Sequence, residues 1–287
     1  MSKWSGKTKG SVLGYRIFIF FIKQFGIPSA YALLHIVVPV YYLLLSKTKK
    51  DLLLTFKKIP NLKSRNYHPT IYKNFYNLGK SLIDNLAILT HHKAKYSYTE
   101  NGEEYLIKLI EKSEPAILIS GHIGSWSIAG ELLKKKGTIN IVMYDGEAKR
   151  IKRLIEQDIG KNNYKIITIN DDLSHLFKIK EAVDNGELIC IHADRYINGT
   201  RTTDGKLLNY NIKLPYGPFS IAAKLNIPYT FVFAIKTSMY TYHFSATKPK
   251  TSNNPDIIAN EFSNILSEKL RDNPDQWFNY FNIFDNK

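Results

Sequence analysis

The stretch from Ala116 to Glu131 constrains this chain most, because a buried strand there runs into a polar turn and then into a helix. Ala116–Ser120 is a short apolar run that follows Pro115 and stops at Gly121, which is typical of a buried strand. Apolar and small residues then recur at helical spacing, and three lysines before a glycine mark the predicted helix end. In open α/β sheets ligands bind at the carboxyl ends of the strands, so a functional site is predicted at this turn.

His122 lies in this turn and is the first candidate for catalysis. An imidazole titrates near neutral pH and can act as a general base toward a hydroxyl or an amine. The amides of Gly121 and Gly124, with the N-terminus of the following helix, are candidates for binding a developing oxyanion. A histidine that only caps the helix or bonds a loop carbonyl fits the same position, so position alone leaves both interpretations open.

The motif Gly-His-Ile-Gly-Ser-Trp-x-Ile-Ala-Gly, which begins at Gly121, resembles the signature of the lysophospholipid acyltransferase superfamily. Within it the chain is most similar to the bacterial lipid A (lauroyl/myristoyl) acyltransferases. That resemblance implies a histidine that takes the acceptor's proton and, after four intervening residues, an Asp or Glu that orients and charges the ring. His122 matches the histidine, but Ser127 stands at the position of the acid.

Two further motifs extend the resemblance along the chain. One is a predicted strand, Leu188 to His192, that ends in His-Ala-Asp-Arg; after an expected loop, a Leu-Pro-Tyr-Gly-Pro element introduces a helix. The resemblance implies that Asp194 and Arg195 line the active site, with Arg195 meeting a phosphate or the phosphopantetheine of a carrier and Asp194 orienting it or bonding the acceptor. It also implies that Pro215 and Gly217 bind substrate. A structural salt bridge at the sheet edge is the alternative for Asp194 and Arg195.

Ser127 leaves the predicted base without a charged partner at the usual place, and three interpretations are open. Another acid substitutes, for which Glu131, Asp145 and Asp194 are candidates. Alternatively the enzyme works slowly or on an acceptor that is easily deprotonated, so His122 suffices. In the third interpretation catalysis is lost, and the chain binds lipid or acyl carrier without turnover.

A serine hydrolase is a further alternative of a different class. Ser127 lies between a strand and a helix, as a nucleophile elbow does, and Ser127, Asp194 and His243 follow in the appropriate chain order. Both glycines of the elbow motif Gly-x-Ser-x-Gly are missing, which argues against it. Cys190, the single cysteine, lies in an apolar run and is interpreted as a buried strand thiol. No cluster of Cys and His is visible, so neither a metal nor a cofactor is expected.

The positive charge of the chain is concentrated at its start. Of the net charge of +15, residues 1–83 carry +13, and they also contain the uncharged stretch from Ile27 to Ser46. Basic residues that flank long apolar stretches suit an anionic membrane surface rather than nucleic acid. We therefore expect residues 1–50 to form membrane-associating helices and residues 51–287 an acyltransferase-like α/β domain. An internal helix that covers the core is the alternative for the apolar stretch.

Strands and helices alternate from residue 116 to about residue 236, which predicts an α/β fold with a central, mostly parallel sheet flanked by helices. The aromatic stretch near the end, which includes Trp277, is expected to pack in the core. The resemblance implies an acyltransferase at the cytoplasmic face of the bacterial inner membrane. Its donor would be an acyl carrier protein or acyl-CoA, and its acceptor a lipid or glycolipid.

Overall fold

The structure is a computed structural model that describes residues 12–60, 62, 66–89, 96–125, 137–144, 164–170, 172–197 and 199–284. The helices are α1 Val12–Phe25, α2 Ile27–Leu44, α3 Ser46–Phe56, α4 His68–Leu89, α5 Glu103–Glu111, α6 Ser174–Asp184, α7 Tyr216–Leu225 and α8 Pro255–Asp272, and a 3₁₀ turn follows at Pro274–Gln276. The strands are β1 Ser97–Asn101, β2 Ala116–Ser120, β3 Ile139–Tyr144, β4 Tyr164–Ile169, β5 Leu188–His192, β6 Thr202–Leu207, β7 Tyr210–Pro215, β8 Tyr229–Lys236 and β9 Thr241–Ala246.

Seven strands form the central sheet in the order β1-β9-β8-β2-β5-β3-β4. The five strands from β8 to β4 in that order are parallel, whereas β9 pairs antiparallel with β8, and β1 pairs parallel with β9. The predicted α/β fold with a mostly parallel sheet is confirmed. Parallel pairing aligns the carboxyl ends of β2 and β5 at one edge of the sheet, where the predicted site lies.

The prediction of a loop after β5 is wrong for residues 202–215, because β6 and β7 form a two-stranded antiparallel hairpin there. Its turn consists of Leu208 and Asn209, whose φ angles of 53° and 70° are both positive. Two-residue hairpin turns of this kind usually carry Asn-Gly or Asp-Gly, so Leu-Asn is a weak sequence signal. Strand β1, which is largely exposed, was also not predicted from the sequence.

Both faces of the sheet are covered, which explains why the central strands are continuously apolar. In β8 the side chains alternate between two core clusters, with Phe231 and Phe233 in the larger one and Val232 and Ala234 in the smaller one. The larger cluster also receives residues from α1 to α4, α7 and α8, and α5 contributes to the smaller one. Every residue of β2 is buried, as the sequence predicts.

Helix α2 packs one of its sides against α4 and leaves the other side open. A Cβ at Gly79 of α4 would lie 2.7 Å from Leu34 Cδ2 of α2, so a larger residue there would require the Leu34 side chain to shift. The opposite side of α2 exposes Ile36, Leu43 and Leu44, with exposed fractions of 69%, 73% and 75%. Among the described helices α2 alone has the length and apolarity needed to cross a membrane, with a mean hydropathy of 1.6 over Ile27–Leu44.

A buried carboxylate ties α2 and α4 to the sheet. Asp84 of α4 is fully buried, and its oxygens accept hydrogen bonds from the phenols of Tyr31, Tyr96 and Tyr242 and from Lys236 Nζ, the last at 2.5 Å. A buried charge is stable only where opposite charge and donors replace its hydration, and this group provides both. The N-terminal helices therefore share a polar core contact with β8 and β9. The predicted division into residues 1–50 and residues 51–287 stays a prediction.

We expect Lys236→Met to lower the free energy of unfolding by about 3–5 kcal/mol, because it leaves Asp84 buried without its cation. Chemical denaturation of the detergent-solubilised protein measures this loss. The matched control is Lys213→Met, which removes a surface ion pair with Asp204 (2.5 Å) and should cost less than about 1 kcal/mol. Equal losses in the two variants would show that the buried pair contributes no more than the exposed one.

Candidate active site

The C-terminal segment, residues 274–284 after α8, fixes the turn that carries His122. The His122 carbonyl accepts a hydrogen bond from Phe278 N at 2.8 Å, and Ile123 forms an antiparallel bridge with Trp277. Gly124 N donates to the Gln276 carbonyl at 3.0 Å. These backbone contacts tie the residues after β2 to the C-terminal segment, so the position of the imidazole depends on residues near the end of the chain.

The two glycines of the turn, Gly121 and Gly124, are placed there for different structural reasons. Gly124 adopts a φ of +71°, and a Cβ there would lie 2.0 Å from the Ala234 carbonyl oxygen, so a side chain is excluded. At Gly121 a Cβ would lie 3.3 Å from the Asp194 carboxylate. Because the Gly124 amide already donates to Gln276, the expected role of this amide in binding an oxyanion is not supported. For the Gly121 amide that role stays a prediction.

Asp194 is the acid that meets His122. Ser120 at the end of β2 is aligned with His192 at the end of β5, so residues two positions further along both strands come side by side. His122 Nδ1 lies 2.6 Å from Asp194 Oδ1, and the His122 backbone N–H donates to Asp194 Oδ2 at 2.8 Å. The indole Nε1–H of Trp277 donates to the same Oδ2 at 3.0 Å.

The electrostatics of this cluster keep Asp194 ionised. Its side chain is completely buried, which by itself raises the carboxyl pKa, but His122, Arg195 and His192 outweigh burial and hold this pKa well below its usual range. An ionised Asp194 accepts hydrogen bonds, so His122 Nδ1 carries a hydrogen. A neutral His122 then has its lone pair on Nε2. Its side chain remains 16% exposed.

A second histidine contacts the other side of the His122 ring. His192 Nδ1 lies 3.3 Å from His122 Nε2, and the two ring centroids are 4.3 Å apart at an interplanar angle of 67°. Burial lowers the pKa of His192 well below its usual value, and the neighbouring His122 and Arg195 add to this against the opposing charge of Asp194. From the sequence, His192 was assigned no role of its own, although its position at the end of a parallel strand was a signal.

Arg195 contacts the C-terminal segment. Its guanidinium donates to the Phe278 carbonyl, and Asn279 Nδ2 donates to the Asp194 carbonyl at 3.4 Å. Trp277 is fully buried, as the core-packing interpretation requires, but its indole also binds Asp194. The contribution of this segment to the site was therefore not predicted from the sequence. Aromatic residues near a chain end carry no signal of which carboxylate they will bind. The predicted contact of Arg195 with phosphate stays a prediction.

Pro215 and Gly217 lie elsewhere in the described structure. Pro215 ends β7 and precedes α7, and Gly217 lies in the first turn of that helix. Tyr216 between them lines a polar groove of about 530 Å³, and its ring lies 3.8 Å from the Arg201 guanidinium carbon. In the described ranges neither Pro215 nor Gly217 shares a hydrogen bond with the His122 cluster, so their role in substrate binding stays a prediction.

The other candidate residues are placed as follows. Ser127, Glu131 and Asp145 lie outside the described residues. His243 Nδ1 lies 2.9 Å from Thr99 Oγ1 on the neighbouring strand β1, whereas the Asp194 carboxylate binds His122 and Trp277, so the Asp194–His243 pair of the hydrolase alternative is not observed among the described contacts.

Cys190 lies in β5, as predicted for a strand thiol. Burial raises its pKa to about 12. A thiol with this pKa is almost entirely protonated near neutral pH, so Cys190 is a poor nucleophile.

The family model described as bacterial lipid A biosynthesis acyltransferase matches residues 13–284, which is nearly the whole chain. A search of the curated proteins finds no significant match.

We expect the His192 ring to remain neutral at pH 6, where a histidine of ordinary pKa is mostly protonated, because its environment disfavours the charged form. Nitrogen-15 NMR of histidine-labelled protein between pH 7.5 and pH 6 measures this, and the signal is assigned by its loss in His192→Gln. A ring that titrates near pH 6.5 would contradict the described environment.

Proposed function

This chain belongs to the bacterial lipid A biosynthesis acyltransferase family, and on that premise we propose that it transfers a fatty acyl chain from a thioester donor to a lipid or glycolipid acceptor. The observation that carries the proposal is the His122–Asp194 pair at the sheet edge. Acyl transfer to a hydroxyl or an amine needs a base that can accept a proton near neutral pH. An imidazole oriented by a buried carboxylate meets that need.

In this proposal Asp194 supplies the charge that Ser127 lacks. The carboxylate binds Nδ1–H, which fixes the tautomer with the Nε2 lone pair and stabilises the imidazolium once it forms. The partner acid thus comes from the strand next to β2 instead of the helix that follows it. This supports an active enzyme over a homologue that only binds lipid or carrier.

The proposed reaction proceeds in two balanced steps. His122 accepts the proton of the acceptor's hydroxyl or amine while the acceptor atom bonds to the thioester carbonyl carbon. The tetrahedral oxyanion then collapses, the carbon–sulfur bond breaks, and the leaving thiolate takes the proton from the imidazolium. The Gly121 amide is the proposed oxyanion donor. Arg195 is proposed to meet a phosphate of the donor or of the acceptor.

The proposed donor is an acyl carrier protein, with acyl-CoA as the alternative. Acyl carrier proteins are acidic, and the net charge of +15 favours their association with this chain by electrostatic attraction. A phosphopantetheine thioester is common to both donors, so the chemistry at His122 is the same for either.

Members of this family are membrane-associated, and we propose that this chain meets the cytoplasmic face of the inner membrane through α1 and α2. Exposed apolar side chains on both helices support this: Leu13, Phe20 and Phe25 in α1, and Leu43 and Leu44 in α2. The basic residues concentrated in residues 1–83 would add attraction to anionic lipid headgroups. An acceptor embedded in the membrane would then reach the site without leaving the lipid surface.

We expect His122→Ala to lower acyl transfer by at least about 10³-fold and Asp194→Asn by about 10³–10⁴-fold. An asparagine can donate to Nδ1 and so shifts the hydrogen of the ring to Nε2, which removes the lone pair that the reaction needs. The assay measures transfer of a radiolabelled fatty acyl chain from acyl carrier protein to a total lipid extract.

Two further measurements separate the alternatives. Ser127→Ala with a chromogenic short-chain ester tests the hydrolase, which predicts rapid hydrolysis that this variant abolishes. Mass spectrometry of lipids from cells with and without the gene then identifies the acceptor by the acyl chain that it loses. A folded wild-type protein without transfer, together with an unchanged lipid profile, would favour the binding-only homologue and overturn the proposed activity.

We expect the double variant Leu43→Glu/Leu44→Glu to lower the fraction of protein bound to vesicles of anionic phospholipid by at least about tenfold. Burying a leucine is worth about 1.5–3 kcal/mol, and a carboxylate cannot replace it in the lipid. Sedimentation with the vesicles measures binding. Ile257→Glu replaces a half-exposed apolar residue of α8 and is the control. Equal effects in both variants would argue against a membrane contact through α2.

A further inference from the structure

We propose that Trp277 is a positioning residue for the acyl transfer proposed above, on which this inference rests. Its indole N–H acts through Asp194, whose carboxylate it holds in the orientation that serves His122. Trp277 is thus assigned a part in the reaction beyond its place in the core.

The two oxygens of the Asp194 carboxylate bind different donors. Oδ1 lies 2.6 Å from His122 Nδ1, whereas Oδ2 accepts from the His122 backbone N–H at 2.8 Å and from the Trp277 indole at 3.0 Å. Of the three hydrogen bonds described for this carboxylate, only the one from the indole comes from a residue other than His122. It therefore fixes the carboxylate relative to the rest of the protein, and not only relative to the residue that the carboxylate orients.

Trp277 is itself held independently of the imidazole. Its side chain is fully buried, its carbonyl accepts from Asn74 Nδ2 of α4 at 2.8 Å, and its backbone forms a bridge with Ile123. A close-packed interior leaves a large ring little freedom to turn. We therefore expect the indole N–H to keep its position when the His122 ring gains or loses a proton.

The orientation of the carboxylate matters because the proposed reaction forms an imidazolium beside it. Asp194 is completely buried, and a buried carboxylate recovers its lost hydration only from donors of the protein. Without the indole, Oδ2 loses a donor and the carboxylate can rotate so that Oδ1 no longer faces Nδ1 of His122. Small displacements of catalytic groups cost large factors in rate.

Core packing is the alternative role for this ring, and the two roles need different parts of it. Packing requires the shape and volume of the indole, whereas positioning requires its N–H. Replacement of Trp277 by 3-benzothienylalanine separates the two roles, because sulfur takes the place of the N–H while the fused rings are kept. Trp277→Phe removes both.

We expect the benzothienyl protein to lose about 10–10²-fold in kcat, with KM within about threefold of wild type, because the base is affected and substrate binding is not. Trp277→Phe should lose at least as much. The control is Phe56→Leu, which shortens another fully buried aromatic residue of the larger core cluster and should leave kcat within about threefold. The assay measures transfer of a radiolabelled acyl chain from acyl carrier protein, and circular dichroism shows whether each variant is folded.

A double-mutant cycle tests whether the indole acts through Asp194. The Asp194→Ala background lacks the carboxylate, so the benzothienyl replacement should change its residual rate by less than about threefold. Nitrogen-15 NMR at pH 9, where a histidine ring is ordinarily neutral, tests the orientation without turnover. Wild-type protein should show His122 with its hydrogen on Nδ1, and the benzothienyl protein should show a mixture of the two tautomers.

Three results would overturn the positioning role. A benzothienyl protein with the kcat of wild type would show that the indole only packs. An equal loss with and without the Asp194 carboxylate would show that the indole acts elsewhere. An unchanged His122 tautomer would show that the carboxylate keeps its orientation without the indole. Wild-type protein without any His122-dependent transfer would instead mark the failure of the proposed function, and the NMR measurement would still test the orientation.

Discussion

The buried carboxylate of Asp194 is the group on which the candidate site depends. A carboxylate removed from water must recover its lost hydration from the protein, and Asp194 does so through three N–H donors from His122 and Trp277. Those donors come from the turn after β2 and from the C-terminal segment, whereas Asp194 follows β5. A single charge therefore holds three separate parts of the chain in register and fixes the orientation of the imidazole.

The same interaction explains how a chain of this family can place serine at the position of the usual acid. The role of the acid requires a negative charge at His122 Nδ1, and any element that ends beside β2 can provide it. Here β5 is the neighbour of β2, and its extension brings Asp194 to 2.6 Å from the ring. In the proposed mechanism the chemistry of the pair is kept, although the acid lies at a different position in the sequence from that of the family motif.

A second buried carboxylate, Asp84, connects the apolar N-terminal helices to the same sheet through Lys236 and tyrosines. Lys236 N also donates to the Gln276 side chain at 2.9 Å, and the Gln276 carbonyl accepts from Gly124. The side of the molecule with the exposed apolar helices is thus linked by polar contacts to the turn that carries His122. Under the proposed function, the membrane contact and the catalytic turn therefore belong to one connected set of polar contacts.

The sequence alone determined the α/β fold, the bounds of β2 and β5, and the turn with His122, because these follow from local apolar runs and their stop signals. It missed the β6–β7 hairpin, whose Leu-Asn turn is unusual, and it left the partner acid open among Glu131, Asp145 and Asp194. Only the tertiary structure decided that Asp194 meets His122 and that His192 and Trp277 complete the cluster. His122 and Asp194 are 72 residues apart and meet because their strands are neighbours in the sheet. Such non-local pairing leaves no local pattern in the sequence.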